Sequence, residues 1–435
     1  MSALTAAHRS LALAAVRPRQ HGRVAELLGL RVTVTGVAAA VGDLLEVVGP
    51  EGPVPVEVVA SGRGALTCLP LASTTGLRAG DPVRSTGGGL RIGVGEALRG
   101  RVLDGLGRPL DDGPPLDGLP QVPVENRAPA ALHRPRIDQQ LGLGVRALDG
   151  LTPCGRGQRL GIMAGSGVGK SSLLSMIARG TDAEISVIAL VGERGREVRE
   201  FLEDDLGPEG LSRSIVVVAT SDEPPVVRLR AAFVATRIAE WFRDSGRHVV
   251  LMMDSLTRVA LAQREIGLSA GEPPATRGFP PSVFALLPGL LERAGTSPVG
   301  SITGLYTVLV EGDDLQDPIG DSARSILDGH VVLSRDLATS GHFPSIDVLE
   351  SISRVVNAVT DRGQRADATR LRRMLAARRD VQELVEIGAY VTGSDPHADL
   401  ALAKSEEIES FLQQDMDDST PRTETWRRLA EVVAP

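Results

Sequence analysis

Lys170, Ser171, Glu193 and Asp254 are the residues of this chain whose types and spacing suit phosphoryl chemistry. Lys170 and Ser171 end the run Ala164-Gly165-Ser166-Gly167-Val168-Gly169-Lys170-Ser171-Ser172. An apolar segment from Arg159 precedes this run, and Leu173, Leu174 and Ile177 follow it at helical spacing. Strand, glycine-rich loop and helix in that order make a Walker A phosphate loop. Gly165, Gly167 and Gly169 let the backbone curl so that its N–H groups point inward at phosphate oxygens. The helix beginning there adds its positive end. Lys170 reaches the outer phosphates in such a loop, and the Ser171 hydroxyl holds a magnesium ion. The motif's first position is Ala164 where glycine is usual, which removes turn freedom and none of the chemistry. The chain has 47 lysines and arginines, of which only Lys170 and Lys404 are lysine. A compact, rotatable ammonium is therefore kept in the loop of a chain that otherwise uses the planar guanidinium.

Asp254 closes the apolar run His248-Val249-Val250-Leu251-Met252-Met253-Asp254. A carboxylate at the end of a buried strand is the Walker B residue that holds magnesium opposite Ser171. The competing role is the N-cap of a helix starting at Ser255. Glu193 follows the apolar run 184–191 and suits a base that orients and polarises the attacking water. Its competing role is an ion pair with Arg194 or Arg196. Fast hydrolysis also needs a cation on the equatorial oxygens of the transition state, often an arginine from a neighbouring subunit. Composition cannot choose that arginine.

The elements that position these residues follow from the remaining pattern. A chain of 435 residues calls for two or three domains, and 42% hydrophobic with 23% charged residues describes a globular protein with ample core. A net charge of -8 and aromatic content of 3% argue against a nucleic-acid footprint and against base-stacking platforms. Cys68 and Cys154 have no metal-ligand spacing, which suits a reducing cytoplasm. No run approaches the ~18 apolar residues of a membrane span.

Residues 1–21 read as a basic tail with a short helix, either solvated or docking on a partner or an anionic membrane surface. Residues 22–95 contain short β-rich runs separated by Gly, Pro and Asp clusters, the pattern of a small antiparallel barrel. Residues 100–111 read as a turn-rich connector. Strands and helices then alternate, so residues 96–363 predict an α/β domain with a mostly parallel sheet, its ligands beyond the carboxyl ends of the strands. Residues 364–435 read as a helical C-terminal domain.

Several further motifs accompany the loop. They are Gly192-Glu193-Arg194-Gly195-Arg196-Glu197-Val198, the run from Gly271-Glu272-Pro273-Pro274 to Phe284, and Leu305-Tyr306-Thr307-Val308-Leu309-Val310-Glu311-Gly312-Asp313-Asp314. Phe343-Pro344-Ser345-Ile346-Asp347-Val348 and Ser351-Ile352-Ser353-Arg354 complete the set. Together they resemble the ATPases of type III protein export, most closely the flagellum-specific branch, which are relatives of the catalytic subunit of rotary ATP synthases. The resemblance runs from about residue 22 to 415. It implies a RecA-like P-loop core, ATP and Mg2+ as ligands, and a homohexamer with active sites between subunits. By motif position Glu193 matches the catalytic glutamate and Arg194 an adjacent phosphate-contacting arginine. Arg354 matches the finger that reaches a neighbour's nucleotide, and Phe343 the aromatic that stacks on adenine. The implied partners are a stator-like export regulator, a central stalk-like protein, export gate membrane proteins, and export substrates with their chaperones. The implied place is the cytoplasm, peripherally at the inner face of the membrane.

The leading expectation is Mg-dependent ATP hydrolysis that energises export of flagellar proteins. An injectisome ATPase shares every motif. An RNA-translocating hexameric helicase predicts an aromatic-bearing barrel, and residues 22–90 hold no Phe, Tyr or Trp. A non-catalytic rotary subunit lacks part of the catalytic set, whereas this chain has Lys170, Glu193, Asp254 and Arg354.

Overall fold

The structure, a computed structural model, describes residues 21–310 and 317–434. The tail expected over residues 1–21 thus lies outside the described residues except for His21, and so do Glu311, Gly312, Asp313 and Asp314.

Six antiparallel strands close the N-terminal unit into a barrel: β1 (His21–Leu28), β2 (Arg31–Thr35), β3 (Asp43–Gly49), β4 (Gly52–Gly62), β5 (Ala65–Pro70) and β6 (Pro82–Gly89), in the order β1-β2-β5-β4-β3-β6. Alternation makes it possible. In β2, Val32 and Val34 point inward between half-exposed Arg31, Thr33 and Thr35. They join Val24, Leu45, Val47, Val56, Val58, Leu66, Cys68 and Val83 in one small core. Pairing of β1 with β6 closes the ring and leaves no free edge.

The second unit is built on a long sheet. Its strands are β7 (Val102–Asp104), β8 (Arg159–Ala164), β9 (Ile185–Glu193), β10 (Ser214–Thr220), β11 (His248–Asp254), β12 (Ser301–Leu309), β13 (Gly329–Leu333) and β14 (Ile346–Ser353). They lie in the order β14-β13-β8-β12-β11-β9-β10-β7, with the two-residue strand Gly295–Thr296 beside β12 as a ninth. From β13 to β7 all pairs are parallel, and β14 runs antiparallel along the β13 edge. Strands β9 and β11 are buried along almost their whole length, as apolar runs covered on both faces must be.

The connector reading of residues 100–111 needs a correction, because Val102–Asp104 joins the sheet as an edge strand, Val216 facing Val102. Three residues are too few to show a period. The segment is held by Asp111, whose carboxylate accepts from the Arg101 guanidinium and the Val102 N–H.

Helices α1 (Arg146–Leu151), α2 (Lys170–Gly180) and α3 (Pro225–Asp244) belong to the sheet region. The C-terminal helices are α4 (Arg362–Glu386), α5 (Pro396–Ala403), α6 (Ser405–Leu412) and α7 (Arg422–Val432). Helix α4 starts at a capping box in which Asp361 and Gln364 satisfy each other's backbone N–H groups. Leu371, Met374, Ile408, Phe411 and Leu429 share one buried cluster with Leu143, Leu148 and Leu160. Arg146 of α1 ties the end of the chain to that cluster. Its buried guanidinium donates to the carbonyls of Phe411, Ser410 and Gln413 and to Asp418 and Thr420. Residues 415–434, which no motif anchors, are fixed this way, with Trp426 donating to Gln140 at 3.0 Å.

Candidate active site

The phosphate loop leaves β8 at its carboxyl end and enters α2. Gly167 and Gly169 take left-handed φ values of 76° and 88°, which only glycine adopts without strain. Gly165 is not among the left-handed residues, so the curl rests on two glycines rather than three. Ala164 explains its own tolerance: it is still in the sheet, paired with Leu309 and Leu333, where extended backbone suits alanine as well as glycine. Neighbours brace the loop. The Ser345 hydroxyl donates to the Val168 carbonyl, and Arg335 donates to that of Ser166 at 3.4 Å.

Lys170 stands at the first turn of α2, and its ammonium lies 2.6 Å from Asp254 and 3.4 Å from Glu193. Burial by itself pulls the ammonium pKa down, but Asp254 and Glu193 outweigh it and hold it above its ordinary value. Asp254 ends β11 and is 3% exposed, with the Thr307 hydroxyl donating to it at 2.7 Å. It makes no N-cap bond; Ser255 instead accepts from the Arg258 N–H at 3.3 Å. Two oxygen donors, the Ser171 hydroxyl at the loop's end and the Asp254 carboxylate, are of the type a magnesium ion takes.

Glu193 ends β9 next to β11. Burial pushes its pKa up, Asp254 and a hydrogen bond with Glu197 push the same way, and Lys170 opposes them. Its partners are Lys170 and Glu197, not Arg194 or Arg196. Arg194 instead pairs with Glu197 at 3.2 Å and is 73% exposed, on the solvent side of the turn. Lys170, Glu193 and Asp254 are thus gathered, with Arg194 at the rim.

Phe343 is 47% exposed and lies over the loop, so that a Cβ at Gly169 would be 3.6 Å from its ring. Arg354 is placed elsewhere. It follows β14, which leads away from Phe343 from Ile346, opposite Leu333, to Ser353, opposite Gly329, and with its bulge spans roughly 13 Å at about 3.3 Å per residue. Its exposed guanidinium donates to the Arg324 carbonyl at 3.4 Å.

Three contributors escape motif reasoning. Thr307 and Glu197 lie inside quoted motifs but carry no signal for their partners, Asp254 and Glu193. Arg258 packs its aliphatic stem against left-handed Gly192, with a Cβ built there 3.1 Å away, and its buried Nε has no partner. An arginine one turn after the Walker B carboxylate is the only sequence hint.

The nucleotide-binding domain of the ATP synthase alpha/beta family matches residues 144–353, and the T3SS EscN ATPase C-terminal domain matches residues 360–431. The second match takes the resemblance past residue 415, where the motifs stop. The chain is 49% identical over 403 residues to the flagellum-specific ATP synthase of Bacillus subtilis, covering 92% of each chain. It is 48% identical over 431 residues to the type 3 secretion system ATPase of Xanthomonas euvesicatoria, covering 99% of this chain and 97% of the relative. Among solved structures, the assembled ATPase EscN of enteropathogenic E. coli superposes with a TM-score of 0.89 at 45% identity, over 95% of this chain and 100% of EscN. EscN in complex with its central stalk EscO superposes equally well, at a TM-score of 0.89. With a phosphate loop, two carboxylates on one ammonium, and identity of this extent along nearly its whole length, the chain belongs to the family of flagellum-specific and type III secretion ATPases.

Proposed function

We propose that this P-loop ATPase works as a homohexameric ring whose sites lie between copies, and that its hydrolysis of MgATP energises export of flagellar proteins. What carries the shared site is the position of Arg354. Strand β14 runs from the Phe343 end to the Arg354 end of the sheet, from Ile346 opposite Leu333 to Ser353 opposite Gly329, roughly 13 Å at about 3.3 Å per residue. An arginine side chain is shorter than that, and the Arg354 N–H is held by the Asp328 carbonyl beside Arg159, at the end of β8 opposite the loop, so this finger serves the nucleotide of a neighbouring copy. The assembled state of EscN supports the ring.

In each site the loop N–H groups and Lys170 hold the phosphates, and Phe343 stacks on adenine through its ring face. Ser171 and Asp254 would hold magnesium, which would neutralise charge on the phosphate oxygens. Glu193 accepts a proton from the attacking water, its raised pKa bringing the base closer to neutral pH. Thr307 and Lys170 both donate to Oδ1 of Asp254, so Oδ2 is the oxygen that would serve the metal. Arg194 contacts phosphate from the rim, and Arg354 of the adjacent copy stabilises the transition state.

The domains read as a barrel over 22–95, a RecA-like core over 96–363 and a helical domain over 364–435. The partners read as a stator-like export regulator, a central stalk-like protein as in the EscN–EscO complex, gate membrane proteins, and substrates with chaperones. Among the described residues no helix is long and apolar enough to cross a membrane. Peripheral association with the inner membrane face fits that, with nucleic acid not among the ligands. A virulence-type secretion role is the second reading, supported by the 48% identical Xanthomonas relative.

Size-resolved ATPase activity against protein concentration tests the ring: turnover per chain must rise with assembly. Mixing inactive Arg354→Ala with inactive Lys170→Ala chains should restore part of the activity, because some interfaces then hold one intact loop and one intact finger. Mixed rings that form and stay inactive would refute the shared site.

A further inference from the structure

Helix α4 is strongly basic in an acidic protein. Between residues 362 and 379, Arg362, Arg365, Arg370, Arg372, Arg373, Arg378 and Arg379 stand against a single acidic residue, Asp367; Asp380, Glu383 and Glu386 follow in the last two turns. Four of the seven are employed at home. Arg365 holds the Asn357 and Thr360 carbonyls, Arg372 those of Leu151 and Ser351, Arg378 pairs with Glu409, and Arg379 with Asp347 and Glu350. The other three, Arg362, Arg370 and Arg373, pair with no carboxylate among the described residues. They line a groove of about 670 Å³ between α4 and α5, together with Arg365 and His397. Leaving three guanidinium groups together at a groove costs repulsion that an acidic occupant would relieve.

The same region carries the complementary charge on a different face. Glu406 and Glu407 at the start of α6 and Asp415 just beyond it are exposed and have no basic partner among the described residues. Their placement relative to the active site is set by two hydrogen bonds. His342 meets Glu409 of α6 at 2.9 Å, and the Phe343 carbonyl accepts from the Gln414 N–H at 2.9 Å. The acidic segment therefore sits on the phosphate-loop side of the subunit. The arginine groove starts on the other side. Arg365 holds the carbonyls of residues 357 and 360, directly after Arg354, and α4 runs from there toward Arg378, which meets Glu409.

We infer that the arginine groove of one copy receives the Glu406, Glu407 and Asp415 segment of the next copy in the ring. The inference rests on the shared-site reading. In a head-to-tail ring the Arg354 face of each subunit meets the phosphate-loop face of its neighbour, so whatever accompanies those faces also meets. Opposite charges beside both halves of the site would fix the register in which the finger approaches the nucleotide.

Charge exchange in the full-length chain tests this. Arg370→Glu/Arg373→Glu, Glu406→Arg/Glu407→Arg, and a chain with all four changes would be compared by ATPase activity against protein concentration and by sedimentation velocity. Each pair alone should raise the concentration for half-maximal activity roughly ten-fold. The four-change chain should return toward the unaltered protein, because reversed charges meet again at every interface. Arg370→Gln/Arg373→Gln, a milder change, should assemble less tightly and with a weaker salt dependence. Nucleotide binding and thermal melting of the unassembled variants confirm that the fold is intact. Unchanged assembly in both the Glu and the Gln variants would assign the groove to a different acidic partner and overturn the inference. So would additive losses without rescue in the four-change chain. If the unaltered protein shows no rise in turnover with concentration, the ring itself fails, an outcome distinct from failure of the groove.

Discussion

Glu193→Gln removes a charge and a proton acceptor while keeping the side chain's shape. Lys170 retains its 2.6 Å contact with Asp254, and Asp254 retains Thr307, so the phosphate-binding frame survives. The trio Lys170, Glu193 and Asp254 goes from one net negative charge to none, which favours a polyanionic nucleotide. Binding should therefore hold or tighten. The chemical step should slow by about 10²–10⁴, the usual contribution of a positioned base, equivalent to roughly 3–5 kcal/mol of barrier. Burial, Asp254 and Glu197 hold the Glu193 pKa above its ordinary 4.5. The base works deprotonated, so kcat should rise with pH through that raised value, and this acid limb should vanish in the variant. Steady-state phosphate release at saturating ATP from acid to neutral pH, with a fluorescent nucleotide for affinity, measures all three. A variant turning over within about threefold of the unaltered enzyme, or keeping the same acid limb, would refute the assignment of the base.

Three further outcomes are expected. Lys170→Arg should lower kcat by about 100-fold or more, because a planar guanidinium cannot reproduce an ammonium placed between two carboxylates; phosphate release checks it. Phe343→Ala should weaken ATP binding by about 1–3 kcal/mol, the worth of one base stack, while Phe343→Tyr keeps it; nucleotide titration of both variants separates ring face from hydroxyl. Arg146→Ala should destabilise the C-terminal helices by about 3–5 kcal/mol, since it strips buried carbonyls and Asp418 of their donor. Thermal unfolding and proteolysis within residues 405–434 would register it.

Much of the site is legible in one dimension. The loop, Lys170, Ser171 and Asp254 stand at the ends of strands whose apolar runs are unmistakable, and the boundaries of β11 coincide with the sequence reading. What stays hidden is of two kinds. Val102–Asp104 is too short to show a period, and its pairing with β10 joins residues more than a hundred positions apart. Thr307 reads as one more residue in a buried strand until β12 is laid beside β11 and its hydroxyl meets Asp254, 53 positions earlier. The competing role of Glu193 as partner of Arg194 was equally open on spacing, and only the turn after β9 aims the arginine at solvent and Glu197.

The sequence by itself determined which chemistry this chain carries. A phosphate loop needs glycines, an ammonium and a hydroxyl within a few residues of one another, and short-range geometry is written into residue order. Tertiary structure alone decided the division of labour across space. Because β14 lies antiparallel on the sheet edge, Phe343 is placed over the loop and Arg354 at the far end of the strand. Strand direction depends on which edge a segment finds after the chain has collapsed. No local pattern encodes it, and it is what sets Phe343 and Arg354 at opposite ends of one strand in this chain.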